Sequence, residues 1–165
     1  RSTRVCAADP ENSVFFDHYR TRQPDLRLHA GSRIEGIGRP CVEASFLPHV
    51  IDAMVAVPDA WSVAAMHELT TRLRRSVGAS TGSNLIATLA CMARMRERGA
   101  TGSVVTLLCD SGDRYRHTYY SESWLQQAGL GCQRERAAVA VALDSGVIPG
   151  ELSAAWRLAG ELAPE

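Results

Sequence analysis

The sequence predicts an α/β fold in which an open, mostly parallel sheet is flanked by helices. Strand-like and helix-like segments alternate along the chain, and one uninterrupted apolar run ends at a polar turn. The length of 165 residues is that of one ordinary domain, and 45% of the residues are hydrophobic. This composition is sufficient for a core. We therefore expect a folded protein rather than a disordered chain or a small disulfide scaffold.

Four segments have the character of strands. They are residues 3–7, 33–38, 53–57 and 103–109. The first ends before Pro10, whose missing N–H stops a central strand. The fourth is almost wholly apolar, as is typical of a strand buried on both faces of a parallel sheet. Ser111 follows its end, and ligands bind beyond the carboxyl ends of the strands in open α/β sheets.

Six segments are predicted to be helical from the spacing of their apolar residues. They are residues 11–19, 59–77, 80–98, 121–128, 134–143 and 150–162. In the second, Val63, Met66, Leu69 and Leu73 recur at spacings of three, three and four, which places them on one helical face. Gly78 is expected to separate this helix from the next, which begins near Ser80.

The charged residues exclude several chemistries. Eighteen acidic residues balance eighteen basic ones, so the composition gives no reason to expect nucleic acid or an anionic membrane as a partner. All the basic residues are arginines, and the chain has no lysine. A Schiff-base amine, a phosphate-loop lysine and a serine–lysine pair are therefore absent from this sequence.

The cysteines and the N-terminal residues of the sequence bear on the cellular compartment in which the protein is expected. Five widely spaced cysteines are odd in number and stand mostly in apolar runs, so we interpret them as reduced core thiols. The given sequence does not open with a basic-then-apolar signal pattern, and no uninterrupted apolar run in it approaches the roughly 18 residues of a membrane helix. We expect a cytoplasmic protein without a membrane partner. Because it starts with Arg1, almost directly in a strand, we also expect that it was cut at that end.

Residues 78–82 match the G-x-S-x-G nucleophile elbow of serine hydrolases, with Ser80 at the nucleophile position. Asp110 and His117 follow in the hydrolase order of serine, acid and histidine. However, residues 70–77 are polar rather than a buried strand, and the acid and the histidine are close enough to share one loop. A serine hydrolase is therefore the less favoured alternative.

Residues 80–83 also have the composition of a helix start. Free amides near Ser80, Thr81 and Ser83 can receive an anion such as a carboxylate, or Ser80 or Thr81 can simply be the N-cap. Both interpretations stay open. His67 begins a zinc-protease pattern that lacks its second histidine, because position 71 is threonine. We assign neither a metal site nor a dinucleotide site.

Three segments carry a family resemblance. They read RIEGIG at 33–38, GASTGSN at 78–84 and CDSGDRY at 109–115. In order and spacing they resemble the second half of a cysteine synthase that depends on pyridoxal phosphate (PLP). The chain is similar especially to the actinobacterial branch of the cysteine synthase and cystathionine β-synthase family, which includes cysteine desulfhydrases. Residues 9–13, 118–120 and 124–125 fit that branch as well.

The resemblance implies a type II PLP fold, present as an incomplete C-terminal portion. Residues 1–130 would be the C-terminal part of the large PLP-binding domain, and residues 131–165 a helical C-terminal extension. Ser111 would face the pyridine nitrogen of PLP, and Gly36, Ile37 and Gly38 would line the active site. The Schiff-base lysine and the phosphate cradle would lie in a missing N-terminal half. We therefore assign no catalytic residue to this chain.

For the complete protein, the resemblance implies a homodimer that acts on cysteine or an activated serine by β-elimination or β-replacement. A neutral serine opposite the ring nitrogen, unlike a carboxylate, does not hold that nitrogen protonated. The ring is then a weaker electron sink, which suits elimination better than transamination. Two alternatives stay open: a non-catalytic module of the same family that binds a partner chain, and a Ser111 that only shapes a turn.

Overall fold

The computed structural model describes residues 3–161. Three strands form one sheet over this range, with one helix between the first two strands and five helices between the second and the third. The strands are β1 (Cys6–Pro10), β2 (Ala53–Val57) and β3 (Arg157–Gly160). The helices are α1 (Phe15–Thr21), α2 (Asp59–Leu73), α3 (Ala79–Glu97), α4 (Glu122–Gln127), α5 (Gln133–Ser145) and α6 (Gly150–Ser153). Short 3-10 turns cover Pro48–Val50 and Gly112–Tyr115.

The sheet has the order β1-β2-β3 and mixed direction. β1 runs parallel to β2, and β3 pairs antiparallel with the other side of β2. β2 is apolar and almost completely buried, as expected for a central strand. β1 therefore keeps one side without a partner strand among the described residues. The predicted α/β class is confirmed, with one parallel and one antiparallel pairing.

Helices α2 and α3 pack against each other so closely that a glycine is required where they cross. A Cβ at Gly82 would lie 1.8 Å from the carbonyl oxygen of Ser62 and 2.8 Å from the backbone nitrogen of Met66. Beside this crossing, the hydroxyls of Ser62 and Ser83 are hydrogen bonded over 2.8 Å. Part of the GASTGSN motif thus serves helix packing.

Helix α5 covers the other side of α2. Its buried residues Val139 and Ala142 belong to the same hydrophobic core as Met66 of α2. At the rim, Arg72 of α2 forms an ion pair with Asp144 over 2.8 Å. Residues on both sides of position 130 therefore share one core. The predicted boundary between a PLP-binding domain (1–130) and a C-terminal extension (131–165) stays a prediction.

Two predicted strands are wrong. Residues 103–109 have no regular secondary structure, no backbone–backbone hydrogen bond joins them to another described segment, and their apolar side chains are exposed. The prediction assumed neighbouring strands on both sides, and the described residues supply none. Residues 33–38 form turns instead of a strand, because Gly36 and Gly38 have φ angles of +87° and +76°.

Other element boundaries differ from the predicted ones. The first strand is β1, shifted so that it includes Pro10, whose missing N–H is tolerated in an edge strand. Helix α1 starts at Phe15 rather than at residue 11. The predicted helix 150–162 is only α6, followed by β3, and residue 162 lies outside the described range. The C-terminal segment is therefore not entirely helical.

The remaining helices lie close to their predicted positions. α2 ends at Leu73, before Gly78, because Arg74 adopts a left-handed φ of +52°.

The five cysteines form no disulfide bonds, as expected for reduced thiols. Cys109 is exposed, however, so it is not a core thiol. Within residues 3–161, no helix has both the length and the apolar character needed to span a bilayer.

Candidate functional site

The RIEGIG segment is joined to the turn at residues 115–120 by the side chain of Tyr119. Its hydroxyl donates to the carbonyl oxygen of Arg33 over 2.6 Å and accepts from the backbone N–H of Glu35 over 3.0 Å. Tyr119 is only 1% exposed, and burial raises the pKa of its hydroxyl. The neutral phenol is thus available for both hydrogen bonds.

Tyr120 joins the same turn to the start of the GASTGSN segment. Its hydroxyl donates to the carbonyl oxygen of Val77 over 2.8 Å and accepts from the backbone N–H of Val77 over 3.1 Å. Thr70 of α2 lies 2.7 Å from the same hydroxyl. Val77 also pairs with Ser111 in an isolated antiparallel bridge. Tyr119 and Tyr120 therefore bring the three motif segments together.

Two glycines allow the GASTGSN and CDSGDRY segments to touch. A Cβ at Gly78 would lie 2.2 Å from Oδ1 of Asp110, and a Cβ at Gly112 would lie 2.7 Å from both the Tyr120 hydroxyl and the Val77 carbonyl oxygen. The backbone N–H of Gly78 donates to the carbonyl oxygen of Asp110 over 3.1 Å. Larger residues at either position would force the two segments apart.

Ser111 lies at the point where these segments meet, and it is partly exposed. It is the N-cap of the 3-10 turn Gly112–Tyr115, where its hydroxyl accepts from the backbone N–H of Asp113 over 3.3 Å. The same hydroxyl donates to Oδ2 of Asp113 over 3.0 Å. Hydrogen bonds from Arg116 and Ser111 hold the pKa of Asp113 below its usual range. The present contacts of Ser111 are those of a turn serine.

The two glycines of the RIEGIG segment have different surroundings. A Cβ at Gly38 would lie 2.7 Å from Pro10 and 2.9 Å from the side chain of Ser32, so this glycine is needed for packing. No atom lies within 4 Å of a Cβ placed on Gly36, whose backbone faces open space. Ile37, between them, packs partly buried against the core. Of this loop, Gly36 is the position that a ligand can approach.

The start of α3 does not have the predicted N-cap, and the anion site at its first amides stays a prediction. The N-cap is Gly78, rather than Ser80 or Thr81. The hydroxyl of Thr81 instead accepts from the backbone N–H of Cys109 over 3.0 Å. Asn84, one turn further along, donates to the carbonyl oxygen of Leu107 over 3.1 Å. These side chains hold residues 107–109 in place.

The residues of the hydrolase alternative are not assembled into a triad. Ser80 is buried in the first turn of α3, Asp110 accepts a hydrogen bond from the hydroxyl of Tyr115 over 2.5 Å, and His117 is exposed. None of the three side chains is hydrogen bonded to another in the described structure. The turn before Ser80 also lacks the strand that an elbow requires.

His67, the histidine of the zinc-protease pattern, lies with Nε2 3.0 Å from the carbonyl oxygen of Tyr119. Burial lowers the pKa of its imidazole. This contact supports the turn that carries the tyrosines. No group of three or more metal-ligating side chains occurs within residues 3–161.

Arg33 is a further residue that the sequence did not single out by itself. Its guanidinium donates to Oδ2 of Asp59, to Oε2 of Glu11 and to the carbonyl oxygen of Ala128, each over 3.0 Å. The side chain of Asp59 is fully buried, and burial raises its pKa although Arg33 opposes this shift. The pairing fixes the start of the RIEGIG loop. In the sequence, only the position of Arg33 as the first residue of the RIEGIG motif indicated that this residue could matter for the loop.

The chain is similar to known enzymes over most of its length. It is 54% identical over 129 residues to L-cysteine desulfhydrase Cds1 of Mycobacterium tuberculosis, a match that covers 78% of this chain and 35% of that protein. It is 29% identical over 140 residues to cysteine synthase 2 of Schizosaccharomyces pombe, and this match also covers 78% of this chain and 35% of that protein. The chain thus spans about a third of the length of these relatives. No protein-family model matches it.

A solved structure agrees with these relatives. The fold superposes with a TM-score of 0.56 on a hydrogen sulfide-producing enzyme of 20% sequence identity, and the match covers 94% of this chain and 37% of that one. The fold is therefore part of the fold of the PLP-dependent enzymes. More specifically, the chain is a relative of the cysteine synthase and cystathionine β-synthase family and corresponds to a C-terminal portion of such a protein.

Proposed function

We propose that this chain is the C-terminal part of a PLP-dependent cysteine desulfhydrase, which releases sulfide from cysteine by β-elimination. The observation that carries the proposal is the convergence of the RIEGIG, GASTGSN and CDSGDRY segments in a chain 54% identical to such an enzyme. A cysteine synthase that performs β-replacement is the second candidate, supported by the 29% identity to cysteine synthase 2.

The residues present fit one edge of the cofactor. The hydroxyl of Ser111 is partly exposed at the meeting point of the three segments, and the backbone of Gly36 faces open space. The chain has no lysine, so the amine that holds PLP must come from elsewhere in the protein. PLP, when bound, supplies the electron sink for breaking bonds at Cα and Cβ of the substrate.

The role proposed for Ser111 is to donate a hydrogen bond to an unprotonated ring nitrogen. Its proton now points to Oδ2 of Asp113, so the hydroxyl must rotate away from this carboxylate while it keeps the backbone N–H of Asp113 as a donor. Serine cannot supply the negative charge that would hold the nitrogen protonated. Gly36, in the same proposal, lets backbone approach the cofactor without a side chain between them.

Other features of the complete protein are part of the same proposal. Residues 1–130 belong to the large PLP-binding domain, residues 131–165 extend it, and the enzyme is a homodimer whose N-terminal half supplies the lysine. The cytoplasm is its compartment, in keeping with five unpaired cysteines. A non-catalytic module that binds a partner chain is the remaining alternative, favoured by the exposed apolar residues 104–108.

A complementation experiment tests the proposed activity. This chain is produced together with the portion of the M. tuberculosis desulfhydrase that precedes the matched region, and sulfide release from cysteine is measured after PLP is added. We expect sulfide from the pair and none from either part alone. A folded complex that binds PLP yet releases no sulfide from cysteine would refute the desulfhydrase assignment. In that case, replacement activity with an activated serine and sulfide would favour the synthase.

A further inference from the structure

Two cysteines from distant parts of the sequence lie in contact between the sheet and helix α3. Cys6 is the first residue of β1, and Cys91 lies in the second half of α3. The thiol of Cys6 is hydrogen bonded to the sulfur of Cys91. Because the two residues are far apart in the sequence, the fold itself brings these thiols together.

The geometry of β1 and α3 explains this contact. Side chains alternate along a strand, so Cys6 and Ala8 point to the same face of β1. Both residues line a cleft of about 470 Å³. Ala87 and Cys91, one helical turn apart on α3, line the same cleft. Cys91 therefore belongs to the face of α3 that lies against Cys6.

The cleft also gives small molecules a route to the pair. Cys6 is half-buried and Cys91 is 7% exposed, and both line the cleft. Cys132, by contrast, is 3% exposed, belongs to the hydrophobic core and does not line this cleft. A small oxidant can therefore reach Cys6 and Cys91 through the cleft, whereas Cys132 is enclosed.

The contact makes the two thiols chemically unequal. The hydrogen bond from Cys6 lowers the pKa of Cys91, although burial opposes this shift. The pKa of Cys6 is raised, because its proton is donated to Cys91, and burial adds to this shift. For comparison, burial raises the pKa of Cys132 to about 11. Since the thiolate is the form that reacts with oxidants, Cys91 is the better nucleophile.

We propose that Cys6 and Cys91 form a redox-sensitive pair, which hydrogen peroxide oxidises to a disulfide that links β1 to α3. The thiolate sulfur of Cys91 attacks one oxygen of the peroxide and breaks the O–O bond, and the hydroxide that leaves becomes water with a solvent proton. Cys91 is then a sulfenic acid. The sulfur of Cys6 attacks this sulfur and breaks its S–O bond, and the hydroxyl group leaves as water with the proton of Cys6. The two thiols together lose two electrons, and the peroxide gains them.

Disulfide mapping of the chain tests this proposal. The folded chain is treated with hydrogen peroxide, free thiols are alkylated, and the tryptic peptides are identified by mass spectrometry. Trypsin cleaves after arginine and places the five cysteines on five different peptides. We expect the peptides of Cys6 and Cys91 to be joined, and this pairing to exceed every other by a factor of about ten or more. Dithiothreitol should reverse it, and in urea-unfolded chain the preference should be lost.

Single substitutions identify the two roles. Cys6→Ala and Cys91→Ala should each abolish the disulfide, and in Cys6→Ala the sulfenic acid of Cys91 should persist and be trapped by dimedone. Cys41→Ala and Cys132→Ala are the matched controls, because Cys41 is half-buried like Cys6 and Cys132 is buried like Cys91. Both controls should form the disulfide as the wild type does.

The wild-type mapping needs no substitution, so it decides the question even if a variant fails to fold. No disulfide between Cys6 and Cys91, equally abundant pairing with the exposed Cys109, or the same pairings in folded and unfolded chain would each overturn the proposal. The mapping measures neither PLP binding nor sulfide release. Its outcome is therefore independent of the proposed function, which goes beyond neither thiol.

Discussion

The hydroxyl of Tyr119 donates a hydrogen bond to the carbonyl oxygen of Arg33 over 2.6 Å, across 86 positions of sequence. Through this bond, the turn after the CDSGDRY segment fixes the loop that contains Gly36. The ring of Tyr119 also packs against Tyr115 and Trp124, with centroids 5.1 and 5.5 Å away. The loop is therefore positioned by one buried aromatic residue rather than by a sheet.

Tyr119→Phe should destabilise the chain by about 1 to 3 kcal/mol, since the ring stays but the carbonyl of Arg33 and the N–H of Glu35 lose their partner. The free energy of unfolding in urea is the measurement. Ser123→Ala, an exposed change in the neighbouring helix, is the control and should stay within about 0.5 kcal/mol of the wild type. Equal stability of both variants would show that the hydroxyl does not hold the loop.

Local patterns predicted the elements that bury one face against a neighbour. The spacing of Val63, Met66, Leu69 and Leu73 predicted α2, and the apolar run at β2 predicted the central strand. Residues 103–109 carried an equally strong strand pattern, but pairing depends on a neighbour that the described residues do not provide. A pattern shows what a segment can bury, and it does not show whether the partner is present.

The site was predicted less completely than the helices. The glycines and Ser111 stood in recognisable motifs, whereas Tyr119 and Tyr120 act through hydrogen bonds to backbone that is distant in sequence. Such contacts leave no periodic signal. β3 was missed for a related reason, because its pairing with β2 joins residues about a hundred positions apart.

Arg33→Met should destabilise the chain by about 3 kcal/mol at neutral pH, because the buried carboxylate of Asp59 loses its cation. Arg39→Met is the control, since Arg39 forms an exposed pair with Glu43 and should change stability by less than about 1 kcal/mol. Asp59→Asn combined with Arg33→Met should recover part of the loss. A double variant as unstable as Arg33→Met alone would contradict this assignment.

The same pair predicts a pH dependence. Burial raises the pKa of Asp59 in the folded state, and removal of Arg33 should raise it further. For an acid with a raised folded pKa, stability is fully present below the unfolded pKa of about 3.9 and is lost as the pH rises through the folded pKa. The defect of Arg33→Met should therefore shrink as the pH falls from 7 towards 4, in urea titrations. A defect independent of pH would contradict the buried-carboxylate explanation.

Gly82→Ala should destabilise the chain by about 3 kcal/mol or more, because the new Cβ would overlap the carbonyl oxygen of Ser62 and force α2 and α3 apart. Gly150→Ala is the matched control, since nothing lies within 4 Å of a Cβ at that position. Thermal unfolding of both variants is the measurement. A Gly82→Ala variant as stable as the control would show that this part of GASTGSN is not required for helix packing.

The measurement that tests the central claim most directly concerns Ser111 in the complex with the preceding portion of the desulfhydrase. PLP affinity, the absorption spectrum and sulfide release are compared for the wild type, Ser111→Ala, Ser111→Thr and Ser111→Asp. We expect Ser111→Ala to weaken PLP binding by about 0.5 to 1.5 kcal/mol, Ser111→Thr to restore it, and Ser111→Asp to shift the spectrum by favouring a protonated ring. Equal affinity, spectrum and sulfide release in all four proteins would contradict the account and leave Ser111 as a turn serine.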